Sequence, residues 1–428
     1  MNSYNDYPQT GRINDRQKKV TRTRLNSPNR TTTVSLIHFH AFFINPTTKR
    51  EDKPYDNAGY CNKTPEPHEN ITTKVLIVAN ATEFRPNSIG TNSVDLPTQS
   101  IFNSKVSVLD PSMPSIKFGV KTGQGGYSYK ELKRVWTTAD ELGYDSAWLY
   151  DHFYAVDDKQ RPCLEAWTTL AALAAATKKL KVGTMVTAVS YRHPSLLAKM
   201  ATTVDIISNG RLILGIGAGW YEEEYRAYGY DFPDPRTRIR QLREALIIIR
   251  RLWTEERATF SGRFYSIHEA ISSPKPRQKG GPPILIGITT GKRTLPQFAA
   301  RFADGFNTTA SLKECEAIVA SVRENCVRYR RKIGDLTMSW QGFLLIGKSD
   351  SQIDKMIERE ARRRNQSPSS FRQMVIERGW IIGGPDACVR ELRKFREIGI
   401  NHFILGFSND TEVEPLEICK DKVIPQLR

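Results

Sequence analysis

An aspartate and a histidine, Asp151 and His152, directly follow an apolar, strand-like segment over residues 145–150. A side chain at the carboxyl end of a parallel strand points toward the edge of the sheet where such folds bind ligands. An imidazole placed there can hydrogen-bond a reacting atom or transfer a proton near neutral pH. His152 is therefore the candidate catalytic residue, and a capping aspartate beside a packed histidine is the structural alternative.

A glycine-rich turn follows a second apolar segment, residues 212–216, and carries Gly217, Ala218 and Gly219. Glycine lets backbone N–H groups approach a ligand closely, and it also permits a tight turn. The G-x-G-x-x-G fingerprint of dinucleotide-binding folds is not met, because Trp220 stands where the third glycine should be. The turn is thus a candidate ligand contact, with simple chain reversal as the alternative.

A candidate phosphate site follows the strand-like residues 284–287. Hydroxyls, backbone N–H groups and cations at the start of a helix suit an anion. An ordinary basic helix start is the alternative. The residues concerned are Gly287, Thr289, Thr290, Gly291, Lys292 and Arg293.

Motifs for a protein nucleophile, a zinc protease or a nucleotide-binding P-loop do not occur in the sequence, and His, Asp and Glu are not clustered as metal ligands. If the protein is an enzyme, a bound organic cofactor must then supply the chemistry. The acidic run at 222–224 is predicted only to begin a helix, where carboxylates favour the helix dipole. His193 is predicted to lie in a turn, and His268 and His402 to be structural.

Strand-like and helical patterns alternate about eight times from residue 116 onward. The pattern favours a (β/α)8 barrel over an open doubly wound sheet, with a helix-rich insertion after the fourth strand, at residues 220–283. The predicted strands are 116–120, 145–150, 181–189, 212–216, 284–287, 305–307, 337–346 and 401–406, and the main predicted helices are 129–142, 165–178, 195–208, 237–253, 294–302, 312–332 and 386–398.

The composition indicates a setting and excludes some classes. Six cysteines are scattered without a C-x-x-C pair, which argues against a disulfide framework or a zinc site and favours a reducing cytosol. No apolar run is long enough to span a membrane; the nearest, residues 34–44, is a poor signal-like segment. The net charge of +17 is spread over helices. A solvated basic face, a small anionic ligand and a nucleic acid are the three interpretations, in that order.

Residues 1–115 differ from the rest, being rich in Asn, Thr, Ser and Pro without a sustained helical period. This composition predicts a disordered or loosely folded extension. Its basic start could contact phosphates. The expected organisation is an extension over 1–115 and one barrel domain over 116–428.

The barrel region resembles the bacterial-luciferase-like superfamily, and within it the coenzyme F420-dependent (deazaflavin) oxidoreductases. The segments that carry the resemblance are LYDHF (149–153), GTMVTAVSYRHPSLLAKMATTVD (183–205), NGRLILGIGAGWYEEEYRAYGYDFP (209–233), LWTEERATFSGRFYSI (252–267) and ADGFN (303–307).

The resemblance implies a TIM barrel with a cofactor ring at the carboxyl ends of the strands. It implies a bulged third strand with a non-prolyl cis peptide, expected here between Thr184 and Met185. His152 corresponds to the family's histidine near the hydride-carrying carbon, and Trp220 is a candidate substrate contact. The implied cofactor contacts are Thr184 and Met185 behind the ring, Thr187 at the ring or the ribityl chain, Gly217, Ala218 and Gly219 along the ribityl chain, and Gly287, Thr289, Thr290 and Gly291 at the phosphate. Asp151 is also expected to bind the cofactor.

Two departures argue against a sugar phosphate as the substrate. The superfamily's sugar-phosphate dehydrogenases have a glutamate after the glycine turn and a tryptophan after the Asp-His pair, where this chain has Trp220 and Val156. The expected function is hydride transfer between coenzyme F420 and a small organic molecule. The resemblance also implies a homodimer. An FMN-dependent monooxygenase is one alternative, and a non-catalytic basic barrel with a nucleic-acid-binding tail is another.

Overall fold

The computed structural model describes residues 115–156, 158–289, 293–407 and 412–428. The predicted extension therefore lies outside the described residues, apart from its last position. So do its apolar run at 34–44 and its basic start.

The strands alternate with helices along the chain. The strands are β1 (Lys117–Lys121), β2 (Ser146–Leu149), β3 (Lys181–Ala188), β4 (Leu212–Gly217), β5 (Ala258–Ser261), β6 (Ser266–Ala270), β7 (Ile284–Gly287), β8 (Gly305–Thr308), β9 (Thr337–Ile346), β10 (Ile381–Gly383) and β11 (His402–Phe407).

Most of the helices pack around the outside of the barrel. They are α1 (Tyr129–Leu142), α2 (Ala166–Ala176), α3 (Pro194–Ile207), α4 (Glu222–Ala227), α5 (Pro235–Thr254), α6 (Thr294–Phe302), α7 (Leu312–Arg328), α8 (Asp350–Arg363), α9 (Pro368–Glu377), α10 (Pro385–Glu397), α11 (Glu414–Ile418) and α12 (Ile424–Leu427). A π-helical turn, Cys419–Val423, joins the last two. No helix in these described segments is long and apolar enough to cross a bilayer.

Eight parallel strands close into a barrel in the order β1, β2, β3, β4, β7, β8, β9, β11, with β11 pairing back to β1. The predicted TIM barrel is confirmed. Short β10 extends the sheet beside the end of β9. The predicted insertion is helical only in part, because β5 and β6 form an antiparallel hairpin between α5 and β7.

Local sequence explains where the elements begin and end. Helix α1 starts with a capping box, in which Ser128 and Glu131 satisfy each other's backbone N–H groups. It ends at Gly143, whose φ of 76° suits glycine. Helices of this kind return the chain to the same end of the barrel, so that the eight barrel strands run parallel and their carboxyl ends share one face.

The barrel interior is filled by side chains rather than open. Trp148, Met185, Leu285 and Ile404 form a buried cluster inside the strands. A larger apolar layer lies between the strands and the helices. The barrel interior therefore leaves room for a ligand above the inner cluster, at the strand ends.

Candidate functional site

A cavity of about 1310 Å³ opens at the carboxyl ends of the strands. Met185 and Val186 contribute to its wall and belong to or pack on the inner cluster, so they form its floor. Of the predicted site residues, the lining includes Asp151, His152, Met185, Gly217, Ala218, Gly219, Trp220, Gly287 and Thr289.

The backbone of β3 is irregular where it reaches the cavity. Its register against β4 shifts between Thr184 and Thr187, as expected for a bulge. The cis peptide bond joins Met185 to Val186. The predicted position, between Thr184 and Met185, is thus wrong by one residue, because the resemblance gave the bulge but not which of its peptides is cis.

Glycines on the two following barrel strands make room for this bulge. A Cβ on Gly217 would lie 2.9 Å from Val186 Cγ2, and one on Gly287 would lie 3.0 Å from the same atom. These distances are shorter than ordinary carbon contacts. The two strand-end glycines therefore let the Val186 side chain occupy the cavity floor.

Thr184 and Thr187, predicted to contact the cofactor, are fully buried and are not part of the cavity lining. Their hydroxyls lie 2.9 Å apart, and Trp167 Nε1 donates to Thr187 Oγ1 over 3.0 Å. Thr184 Oγ1 also donates to the Gly215 carbonyl. The structure thus gives both threonines a role in holding the bulge, and their contact with a cofactor stays a prediction.

His152 lines the cavity and is held from behind by Glu224. Its Nδ1 lies 2.8 Å from Glu224 Oε2, and 13% of its side chain is exposed, against none of the glutamate's. Because a carboxylate can only accept, Nδ1 carries the proton of this bond. Nε2 on the opposite edge of the ring has no hydrogen-bond partner in the described part of the chain.

Glu224 is ionised in spite of its burial. Burial works to raise the pKa of the carboxyl, but hydrogen bonds from His152, Tyr191 and the Phe153 N–H outweigh it and lower the pKa below its usual value. Burial and the bond to Glu224 raise the pKa of Tyr191, so the phenol stays protonated and donates. The result is a fixed negative charge behind the imidazole.

The prediction that the acidic run at 222–224 serves only the helix dipole is therefore wrong for Glu224. The helical phase of α4 turns Glu224 and Tyr225 inward, while Glu222 and Glu223 stay at the surface. Three consecutive glutamates look alike in sequence, and only the packing of α4 on the 151–154 loop distinguishes them.

Asp151 is buried beside His152 and bound by Arg192, whose Nη1 and Nη2 donate over 2.6 and 3.1 Å. Arg192 also donates to Glu165 over 2.8 Å. Burial raises the pKa of Asp151 despite the arginine. Sequence reasoning missed Arg192, which follows Tyr191 on the turn between β3 and α3. This ion pair fixes the loop that carries His152.

An aromatic rim borders the histidine. The rings of Trp220 and Tyr221 stack 5.0 Å apart, and both meet the His152 ring edge-on, at 5.8 and 5.9 Å. Trp220 is 62% exposed, so most of its surface is open to solvent or a ligand. The predicted substrate contact and the predicted catalytic residue therefore lie side by side. Val156 also lines the cavity.

The predicted phosphate site is described in part. Gly287, Thr289 and Arg293 line the cavity just before α6. Thr290 and Gly291 lie outside the described residues, and so does Lys292. The described part thus brings a backbone turn, a hydroxyl and a cation to one side of the cavity.

The donor set suits a planar, anionic organic ligand. The floor is apolar, one wall carries an oriented histidine, and most charged side chains of the lining are cationic. The cavity is larger than a tricyclic ring alone requires, which leaves room for a second molecule. A deazaflavin or flavin cofactor fits this arrangement.

A closed (β/α)8 barrel with its cavity at the carboxyl ends of the strands belongs to a class whose active sites occupy that face. Residues 113–402 match the model of the luciferase-like monooxygenases. The chain belongs to this family.

Curated relatives and solved structures resemble the chain over the same region. F420-dependent glucose-6-phosphate dehydrogenases from Amycolatopsis mediterranei and Kineococcus radiotolerans are 26% and 27% identical, covering 73% and 75% of this chain and 99% and 100% of their own. An F420-dependent secondary alcohol dehydrogenase, solved with an F420–acetone adduct, is 20% identical with a TM-score of 0.64, and the match covers 74% of this chain and all of that one. The coenzyme F420-dependent tetrahydromethanopterin reductase of Methanopyrus kandleri has the same coverage, 18% identity and a TM-score of 0.61. The two structures agree with the fold.

Proposed function

We propose that this protein transfers a hydride between coenzyme F420 and a small organic substrate. The observation that carries the proposal is the His152–Glu224 pair in the wall of the cavity, above the Met185–Val186 floor. The names of the curated relatives, which are F420-dependent dehydrogenases, support the choice of cofactor.

When bound, a deazaflavin would supply the hydride chemistry through a carbon of its ring. His152 Nε2 holds or delivers the proton that the substrate's oxygen or nitrogen loses or gains in the same reaction. Glu224 fixes the orientation of the ring and balances positive charge on it.

Other residues would position the cofactor. Met185 and Val186 offer an apolar surface to one face of the ring, and Gly217 to Gly219 offer backbone close to a ribityl chain. Gly287, Thr289 and Arg293 would hold a phosphate, together with Thr290 and Gly291. Asp151 acts through Arg192 by fixing the loop that carries His152.

Glucose 6-phosphate is not the substrate that we propose, although it appears in the relatives' names. Trp220 and Val156 occupy the positions where the sugar-phosphate dehydrogenases carry a glutamate and a tryptophan. A large apolar ring beside His152 favours a less polar molecule, such as a secondary alcohol or a ketone.

Titrating the purified chain with F420 and, separately, with FMN tests the cofactor. We expect saturable quenching of F420 fluorescence and no binding of FMN at the same concentrations. Tight FMN binding without F420 binding would instead favour the monooxygenase alternative. Binding of neither, with salt-sensitive DNA binding, would favour the non-catalytic basic barrel.

The role of His152 is tested with His152→Asn in the presence of F420 and a panel of alcohols that includes glucose 6-phosphate. We expect F420 affinity within about twofold of wild type and a kcat lower by about 100-fold or more. Unchanged turnover in His152→Asn would remove the histidine from the mechanism. Preferred turnover of glucose 6-phosphate would refute the proposed substrate class.

A further inference from the structure

Arg238 is a buried arginine in the wall of the cavity. It lies in the first turns of α5, is 8% exposed, and its guanidinium lies 3.9 Å from the centre of the Phe232 ring. Its Nη1 donates to the Pro233 carbonyl. Its Nε is fully buried and has no hydrogen-bond partner, and Nη2 has none within the described segments. One edge of the guanidinium, Nε with Nη2, therefore has no acceptor there.

No carboxylate in the described segments neutralises this charge. Of the acidic residues lining the cavity, Asp151 is paired with Arg192, and Glu360 is paired with Arg364 and lies 3.2 Å from Arg363. Taking a charge out of water costs several kcal/mol unless a partner compensates it. A buried guanidinium without a carboxylate partner is expected where a bound ligand supplies the negative charge.

The other charged residues that line the cavity also favour an anionic ligand. Against those two engaged carboxylates, the cationic lining residues are Lys121, Arg161, Arg238, Arg293, Arg363, Arg364 and Arg378. A cavity with this excess attracts anions. Arg238 differs from the others in combining deep burial with an unpartnered nitrogen.

We propose that Arg238 binds an oxyanion of the ligand, a phosphate or a carboxylate, through its Nε and Nη2. This edge consists of two parallel N–H groups, the geometry that fits two oxygens of one anionic group. Because Nε has no accessible surface, the anion reaches Nη2 first, and contact with Nε requires a small shift of the neighbouring side chains. Phe232 covers the guanidinium and Pro233 occupies Nη1, so the side chain is oriented before the anion binds. The inference rests on the proposed function in one respect: the anion belongs either to the anionic tail of F420 or to a charged group that the alcohol or ketone carries away from its reacting carbon.

The helix provides matched controls. Arg236 and Arg240 flank Arg238 on α5 but are exposed, so Arg236→Met and Arg240→Met make the same change in net charge outside the cavity. Wild type, Arg238→Met, Arg238→Lys and the two control variants are each titrated with three probes. The probes are F420, the same deazaflavin cut back to its ribityl alcohol, and inorganic phosphate, which is followed by calorimetry at constant ionic strength.

We expect Arg238→Met to weaken one anionic probe by about 10- to 100-fold, the effect of losing a charge-assisted contact, and both controls to stay within about twofold. Weaker F420 binding with an unchanged affinity for the tail-free deazaflavin assigns the anion to the cofactor. Unchanged binding of both deazaflavins with loss of phosphate binding assigns it to the substrate. A purely structural role would weaken all three probes alike.

Wild-type affinities in Arg238→Met for all three probes would overturn the proposal, and so would equal losses in Arg238→Met and the two controls. If Arg238→Met does not fold, the inference is tested by the F420 affinity of Arg238→Lys together with the phosphate titration of wild type. Lysine cannot reproduce the two parallel N–H groups, so an unchanged F420 affinity in Arg238→Lys, with no phosphate binding by wild type, refutes the inference. Failure of wild type to bind F420 contradicts the proposed function instead, and the phosphate titration still tests Arg238.

Discussion

Replacing Glu224 by glutamine should reverse the hydrogen bond that orients His152. Glu224 Oε1 accepts from the Phe153 N–H at 2.6 Å, and Oε2 faces His152 Nδ1 at 2.8 Å. A backbone N–H can only donate, so in Glu224→Gln the oxygen of the new amide must face Phe153. The NH2 group of that amide then faces Nδ1 and forces this nitrogen to accept. The neutral ring would carry its proton on Nε2, toward the cavity.

The cost in stability follows from the bonds replaced. In wild type, His152, Tyr191 and the Phe153 N–H each donate to the ionised carboxylate. In Glu224→Gln only Phe153 still donates, while His152 and Tyr191 accept from the amide NH2 group, and each of these neutral bonds is weaker than the charge-assisted bond by about 1 kcal/mol. Removing a buried charge offsets part of this loss. Because Glu224 has no exposed side-chain surface, solvent screening does not reduce the effect. We expect the free energy of unfolding to fall by about 2 kcal/mol.

The protonation pattern can be measured without a substrate. In chain labelled with ¹⁵N only at histidine, long-range proton–nitrogen correlations distinguish the two neutral tautomers. We expect the His152 signal to change from the Nδ1–H to the Nε2–H pattern in Glu224→Gln at a pH where the ring is neutral. With F420 and an alcohol substrate, kcat should fall by about 100-fold, because Nε2 then already carries a proton and cannot accept the one that the alcohol loses.

Glu223→Gln is the matched control. Glu223 is the neighbouring glutamate, is 59% exposed and pairs with Lys159, so the same chemical change there should alter the unfolding free energy by no more than about 0.5 kcal/mol. It should leave the His152 tautomer unchanged. An Nδ1–H pattern that persists in Glu224→Gln would refute the assignment of Glu224 as the residue that positions His152.

Two further predictions concern stability. Burial lowers the pKa of His402 to about 3. Below pH 6.5 the unfolded chain therefore binds a proton that the folded chain does not. The free energy of unfolding should fall as the pH is lowered from 6.5 to 3, with a loss of about 2 kcal/mol between pH 7 and 5. Urea unfolding should show this loss reduced in His402→Asn but retained in His268→Gln, an exposed control, and equal pH dependence in all three proteins would contradict it. Gly219→Ala should destabilise the fold by more than Gly229→Ala. Both glycines have a positive φ (80° and 73°), but of the two only Gly219 lies where an added Cβ would meet another atom, Tyr225 Oη at 2.0 Å. Equal decreases in melting temperature for the two variants would show that Tyr225 moves aside freely.

Much of the barrel could be predicted because its signals are local. Helices α1 and α6 and strands β7 and β9 have the predicted bounds, since apolar period, capping residues and glycine stops all act within a few residues. His152 could be selected for the same reason, as it directly follows a strand. The helical period of α5 also indicates that Arg238 is buried, because Arg238 lies four residues before the apolar Leu242 and therefore on the same face of the helix.

By itself, the sequence determined the order of strands and helices, the barrel they imply and the strand ends that carry His152 and the glycine turn, because these depend on neighbouring residues. Only the tertiary structure decided which carboxylate holds His152. Glu224 is 72 residues away along the chain, and it is selected over Glu222 and Glu223 by the face on which α4 packs. The same holds for Arg192 on Asp151, 41 residues apart, and for the burial of Arg238. Pairing, burial and electrostatic partners arise only when the barrel closes, since closure brings distant strand ends to one face.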